Sequence, residues 1–355
     1  MAQQYSFLFL PDISGFTDFV SHTEVEHSQH IVAELLELLI DNEKLGLTLA
    51  EIEGDALFYY KTGSVPDPKA LIQQVENMYV KFHSHLKLYE NHRICNCGAC
   101  STANNLTLKF FAHAGPLDFI QIKDQRKPYG KEVITAHRLM KNTIPIDDYL
   151  LLSEGVYDHW TSSIETSLPM KNSQSEYDLG VVKYQYYELM ELKKKAQLSS
   201  FSKIKKPDNK PLFSASIVIE KSPQEVFELI TNFEYRLDWT KGIQGLEYEK
   251  NRVNRVGSKH QCVVNGSTLE FETVADERRE EKLVYGEMTN AIPVLKPFFN
   301  FYTIEANGTH SKVTAEAITE NNSFLGYFIK PIIKRKLKPS FQAALKDLKS
   351  FAEGR

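Results

Sequence analysis

The apolar strand "FLFL" ends on Pro11-Asp12-Ile13 and runs at once into Gly15-Phe16-Thr17. A carboxylate at the tip of a buried strand is a hard oxygen ligand placed where Mg²⁺ or Mn²⁺ could be held. The helix start behind it suits anions. Glu51, Glu53 and Asp55 alternate along one strand, so side-chain direction alone groups them. Unneutralised, the three would repel, which mildly favours a cation, although a hairpin rim in water also tolerates such a cluster, and Asp12 and Asp55 could be turn residues. Cys95, Cys97 and Cys100 form a C-x-C-x-x-C run. Three thiolates could bind Zn²⁺ given a fourth ligand, such as His92, His85 or a group from a partner chain; the other reading is reduced thiols in a loop. Cys262 stands alone and reads as a small core residue.

The bulk properties narrow the classes. A chain of 355 residues suits two domains, and its net charge of −4 argues weakly against nucleic-acid binding. No apolar run approaches the roughly 20 residues of a transmembrane helix. The N-terminal "MAQQYSFLFLPDIS" lacks a charged n-region, and four cysteines do not make a disulfide framework, so a cytoplasmic protein is expected.

The elements that must position these residues follow from periodicity. Residues 5–13 read as a strand, 23–42 as an amphipathic helix, and "GLTLAEIEGDALFYYKTG" as a hairpin turning at Glu53-Gly54-Asp55. A second long helix follows over "DPKALIQQVENMYVKFHSHLKLYENH", then a strand over 105–114 that Gly115-Pro116 should end. A helix entered through Gly130 and a closing hairpin in "SEYDLGVVKYQYYELMEL" complete this half. The order lacks strict βαβ alternation, so the fold class is α+β. Residues 193–211, rich in Lys, Ser and Pro, read as a linker between domains at 1–192 and 212–355. The second half reads as a strand, a helix capped by Ser222 and Glu225 with Pro223 at its first position, and a run of strands with an Asn265-Gly266 turn. It ends in a long helix containing Pro331 and Pro339 as kinks.

With the elements placed, residues 5–192 resemble the catalytic domain of class III nucleotide cyclases, a ferredoxin-like fold. "PDISGFT", "EIEGDALFYY", "FAHAGP" and "YGKEVITAHRLM" look like the family's motifs, in family order. The resemblance implies that Asp12 and Asp55 hold two metal ions on a purine nucleoside triphosphate, with Ile13, Phe16 and Thr17 around metal and phosphates. It implies Arg138 as the residue stabilising the transition state, and Glu51 at the base-selecting position, where a carboxylate suits guanine. Lys127 takes the second base-contacting position and matches neither base type. Ile134 replaces the Asn that orients the ribose, and it can neither donate nor accept a hydrogen bond. No lysine in the closing hairpin matches the triphosphate-binding one. Sites of this family lie between two such domains, so a homodimer is implied.

Residues 212–355 resemble the START-like, polyketide-cyclase-type (SRPBCC) superfamily of helix-grip folds, through element order and Trp239 after the helical pair. The resemblance implies a curved sheet around the long helix and a site for an apolar small molecule or lipid. "AIPVLKPFFNFYTI" and "SFLGYFIKPII" would line it or merely fill a core. His260 and His310 lack convincing partners, so binding rather than catalysis is expected here. The basic "KPIIKRKLK" could touch anionic lipid or be a solvated helix face. Two functions follow. One is a metal- and nucleotide-binding homodimer with weak or absent turnover, coupled to a domain for an apolar ligand; the other is an active cyclase making cyclic GMP or cyclic AMP. Loss of the ribose-orienting Asn tips the reading toward the first.

Overall fold

A computed structural model describes residues 4–160, 164, 166–198, 206–250, 252–274, 282–321 and 324–355, the side chains of 324–328 excepted. Residues 199–205 of the expected linker, and the 323–328 part of "SFLGYFIKPII", therefore lie outside the described residues and side chains. The chain divides into two compact units, one formed by residues 1–91 and 97–199, the other by 200–355 with the stretch 92–96. Both mix helices with sheet, as the α+β class requires.

In the first unit strand β1 (Gln4–Ser14) runs between β3 (Ala56–Thr62) and β4 (Thr107–Ile122), antiparallel to both. A central strand is covered on both faces and so reads as a continuous apolar run, here Phe7 to Leu10. Alternation sends Leu8 and Leu10 into a cluster with Phe58, Phe111, Tyr149 and Leu151, while Phe7 and Phe9 stack toward Phe110 on the other face. The sheet extends through β2 (Thr48–Glu53) at one edge. At the other it continues through β6 (Tyr149–Ser153), β8 (Gly180–Glu188) and β7 (Met170–Tyr177); among the described residues only the β4–β6 pairing is parallel. Helices α1 (Phe16–Ser21), α2 (Val25–Asp41), α3 (Pro68–His92), α4 (Gly98–Thr102), α5 (Lys131–Leu139) and α6 (Glu154–Tyr157) connect them.

One sequence expectation is corrected. Gly115-Pro116 does not end the strand: β4 continues to Ile122 and turns back as β5 (Gln125–Tyr129). Pro116 lies opposite Tyr5, whose carbonyl accepts instead from the Gly63 N–H on the far side, 3.0 Å away. No donor is required of Pro116 there, so a proline is tolerated inside the sheet. Gly115 is needed for a different reason, since a Cβ would fall 2.7 Å from the Glu132 carboxylate.

The second unit is a seven-stranded antiparallel sheet. In spatial order it runs β10 (Gly245–Tyr248), β11 (Lys259–Val264), β12 (Ser267–Val274), β13 (Lys282–Thr289), β14 (Phe298–Asn307), β15 (His310–Thr319) and β9 (Phe213–Ile219). Helix α7 (Pro223–Thr231) opens with the expected capping box, Ser222 accepting from the Glu225 N–H and Glu225 accepting from that of Ser222. After it come α8 (Arg236–Trp239) and α9 (Phe324–Glu353), which runs through Pro331 and Pro339. Ile333, Leu337 and Phe341, one helical turn apart, pack on Phe213, Leu295 and Phe298.

Candidate functional site

Asp12 sits at the end of β1, opposite Ala56 of β3 on one side and Lys109 of β4 on the other. Asp55 occupies the β2–β3 turn, and its carbonyl accepts from the Ile13 N–H at 3.1 Å, pinning the turn against the strand end. Burial, and then the charge of Asp55, push the Asp12 carboxyl up to about 7; Lys109 opposes them. Burial also raises Asp55, with its own backbone N–H working against the rise. Lys109 gives little relief because it shares its charge with Asp147, 3.1 Å away. The result is a pair of carboxylates short of positive charge, the electrostatic condition for a divalent cation. Ile13 is buried, so only its backbone could face such an ion. Phe16 and Thr17 begin α1, entered through Gly15 at φ +83°.

The remaining expected residues are held apart from this pair by ion pairs of their own. Glu51 accepts from Lys127 at 3.1 Å, so the two base-contacting positions satisfy each other, linking β2 to β5. Arg138 makes a two-pronged bridge to Asp178 in the β7–β8 turn, Nε and Nη2 each donating at 3.0 Å. Glu53 accepts from His137 Nε2 at about the same range, 2.9 and 3.0 Å. Ile134 is 46% exposed on α5, presenting an apolar side chain where the resemblance requires an amide. The helix bearing these groups is anchored by buried His113, whose ring bridges Ser153 Oγ and Glu132 Oε2 at 2.7 Å each. Sequence reasoning missed Lys109, whose signal was a lone charge inside the apolar run "LTLKFF". It also missed Asp178, a turn residue that carried no signal.

The cysteine run gathers a fourth group other than those expected. His27 Nδ1 lies 3.2 Å from Cys97 Sγ and 3.4 Å from Cys100 Sγ. The ligand atoms of His27, Cys95, Cys97 and Cys100 all lie within 4.8 Å of one another. His85 instead pairs with buried Glu34 at 2.7 Å, and His92 is not among the four. His27 precedes Ile31 and Leu35 by one and two turns, so its place on the inward stripe of α2 was the available signal.

In the second unit the buried polar centre is Arg236 of α8 with Glu287 of β13, joined Nη2 to Oε1 and, at 3.5 Å, Nη1 to Oε2. Tyr285 Oη donates to the same carboxylate at 2.8 Å. Burial works to raise Glu287, but Arg236, His260 and Tyr285 together outweigh it and hold the carboxyl below its ordinary value. His260 therefore has an acidic neighbour after all, with Nε2 3.6 Å from Glu287. It lies between Phe233 and Phe271, and burial drives its pKa down to about 4. The Cys262 thiol borders this group, and burial, then the charge of Glu287, push it up to about 11. Leu295, Phe298, Phe299 and Phe301 of the expected apolar wall are buried in the core.

Comparisons with known proteins match two separate stretches of the chain. Residues 32–149 match a family described as protein of unknown function (DUF2652). A Mycobacterium tuberculosis protein described as uncharacterized is 32% identical over 126 residues, 35% of this chain and 58% of its own length. Among solved structures, the guanylate cyclase domain of RhGC from Catenaria anguillulae, in complex with GTP, is 17% identical. It covers 53% of this chain and 97% of its own, with a TM-score of 0.40. The adenylyl cyclase CyaB from P. aeruginosa is also 17% identical, over 52% of this chain and 94% of its own, with a TM-score of 0.38. The structural neighbours over the N-terminal part are class III adenylyl and guanylyl cyclase domains. Residues 210–353 match the polyketide cyclase / dehydrase and lipid transport family, and this sheet-rich C-terminal part is a domain of that SRPBCC type.

Proposed function

We propose that the first unit is a cyclase-homology module that binds a divalent cation, Mg²⁺ or Mn²⁺, through Asp12, Asp55 and the Ile13 carbonyl, and takes a purine nucleotide. It assembles as a homodimer with weak or absent cyclase turnover, and the second unit binds an apolar small molecule or lipid. The observation that carries the reading is the Asp12–Asp55 pair, partly buried with too little positive charge. Bound there, metal ions would neutralise phosphate charge and activate a ribose hydroxyl. The chain's own residues supply the rest unevenly. Arg138 is engaged with Asp178, Lys127 with Glu51, and Ile134 cannot orient a ribose.

Dimerisation draws support from exposed apolar side chains on the elements that carry these groups: Ile52 of β2, Tyr129 of β5 and Ile134 of α5, 52%, 60% and 46% exposed. For the second unit, the SRPBCC match and its wealth of buried aromatics support an apolar ligand. Arg236 Nε and Asn300 Oδ1, buried without a hydrogen-bond partner among the described residues, could receive a polar group on that ligand. The second reading, an active cyclase, is favoured by Arg138 lying partly exposed where one ion pair could release it.

Both readings are tested by incubating the full chain with Mn²⁺ and ATP or GTP, analysing products by mass spectrometry, and measuring Mn²⁺ binding by titration calorimetry. Asp12→Asn and Asp55→Asn serve as controls. Mn²⁺ binding lost in both variants, with no cyclic nucleotide from wild type, is the expected result. Cyclic product that vanishes in both variants would establish the active enzyme instead, and wild type that binds no Mn²⁺ would end both readings.

A further inference from the structure

The structure assigns a second metal site, chemically unlike the first: His27, Cys95, Cys97 and Cys100 form a closed Cys₃His set for a structural zinc ion. The donors are three thiols and one imidazole, the soft and borderline ligands that Zn²⁺ takes in four-coordinate sites. In a tetrahedron with Zn–S near 2.3 Å and Zn–N near 2.0 Å, neighbouring sulfurs stand about 3.8 Å apart and nitrogen about 3.5 Å from sulfur. His27 Nδ1 is 3.2 and 3.4 Å from two of the sulfurs, and all four ligand atoms fit within 4.8 Å. The two nitrogen–sulfur distances are thus within a few tenths of an ångström of a tetrahedral edge, and the remaining pairs lie within about an ångström of one or closer. Hydrogen bonding alone accounts poorly for this convergence, because Nδ1 has one hydrogen-bonding position and faces two sulfurs. A disulfide does not account for it either, since all four cysteines of the chain are thiols.

Contacts other than those of the imidazole seat the loop where His27 can meet it. The Ala99 N–H donates to Glu24 Oε2 at 3.1 Å, and a Cβ on Gly98 would come equally close to that carboxylate. Cys97 caps α4 by accepting from the Cys100 N–H at 3.4 Å, which brings the two residues of the C-x-x-C pair together. Cys100 and Cys95 are buried, and His27 is only 9% exposed, so four protein ligands would leave no open coordination position and the role is structural. The ion would fasten the first turns of α2 to the loop before β4. Those turns follow directly on α1, the helix that leaves the Asp12 strand end.

The test is metal analysis of the full chain, expressed with zinc supplied and purified without chelator. About one zinc per chain is expected, and replacement by Co²⁺ should give the intense visible bands of tetrahedral coordination together with sulfur-to-cobalt charge transfer. Cys97→Ser should lose the metal. His27→Ala should weaken binding at least about tenfold, and His27→Cys should restore it with a cobalt spectrum shifted to the all-sulfur type. An Asp12→Asn/Asp55→Asn double variant should keep its zinc, which separates this site from the carboxylate pair. Wild-type protein that takes up neither Zn²⁺ nor Co²⁺ while its thiols react freely, or that isolates with a Cys97–Cys100 disulfide, would overturn the assignment. So would zinc retained by a folded Cys97→Ser variant.

Discussion

Two clusters of charge are wholly or partly withdrawn from water in this protein, and the fold neutralises one and not the other. In the second unit Glu287 meets Arg236 at hydrogen-bonding range with Tyr285 completing its shell, and its carboxyl titrates below the ordinary value. In the first unit Asp12 meets another carboxylate and a lysine already shared, and its carboxyl rises to about 7. A fold can keep a self-neutralised buried pair for structure alone. A buried pair of like charge costs stability and persists where something binds it, which is why perturbed carboxylates point to sites.

The largest effect should come from breaking the neutral cluster. Glu287→Ala leaves the Arg236 guanidinium buried and unpaired, so a loss of about 3–5 kcal/mol is expected. Urea unfolding followed by the fluorescence of Trp239, which lies against Arg236, would measure it. A loss below about 1 kcal/mol would show that water reaches the arginine and that the cluster is not closed.

The carboxylate pair should respond with the opposite sign. Asp12→Asn removes a charge the fold does not neutralise, so without divalent cations it should stabilise the protein at pH 8. The upper bound is about 4 kcal/mol, from a pKa displaced roughly three units above its unfolded value. The sign follows from proton counts. Below about pH 4 both states hold the proton and the substitution changes nothing; between about 4 and 7 only the folded state holds it, so stability falls as pH rises. The gain from Asp12→Asn should therefore grow across that window and level off above it. Added Mn²⁺ should stabilise wild type and leave the variant unmoved. A variant less stable than wild type at pH 8 would mean that Asp12 is neutralised by groups of the fold itself.

His260 sharpens the contrast over nearly the same range. Its folded pKa lies near 4 against about 6.5 unfolded, so between those values only the unfolded chain takes the proton, and stability falls as pH falls. Calorimetric transitions of Asp12→Asn and of His260→Phe, compared with wild type from pH 4 to 8, should diverge in opposite directions. At pH 4.5 His260→Phe should gain up to about 3 kcal/mol relative to its own difference at pH 8. Parallel profiles for the two variants would remove the distinction between the clusters.

How much of this was legible depended on the range of the interaction. Strand β1, the hairpin that carries Asp55 and the capping box at Ser222 are local, and periodicity or capping chemistry reveals them. The continuation of β4 past Pro116 was hidden, because whether a proline breaks a strand depends on where its neighbour's carbonyl points. Asp12 could be read as a candidate ligand at a strand end, but not the size of its pKa displacement, which depends on Lys109 being drawn to Asp147. The thiol run was plain, yet its histidine lies 70 residues from Cys97, and two nearer histidines competed on paper. The partners of Arg138, Lys127 and His260 are all side chains distant in sequence, and no spacing rule reports them.

The smallest structural effect, and the most informative for chemistry, belongs to Asp178. Its bridge to Arg138 is on the surface, so Asp178→Ala should leave the melting temperature unchanged. Yet Arg138 is the group that the cyclase resemblance assigns to the transition state, and in this chain Asp178 holds it by two hydrogen bonds. If that contact restrains the arginine, Asp178→Ala should raise any cyclic-nucleotide formation several-fold, whereas Arg138→Ala should abolish it with equal stability. Stimulation by the first substitution and loss by the second would mean that the bridge is a brake on a competent residue. Equal turnover in wild type and both variants would take Arg138 out of the chemistry and leave the carboxylate pair as a binding site alone.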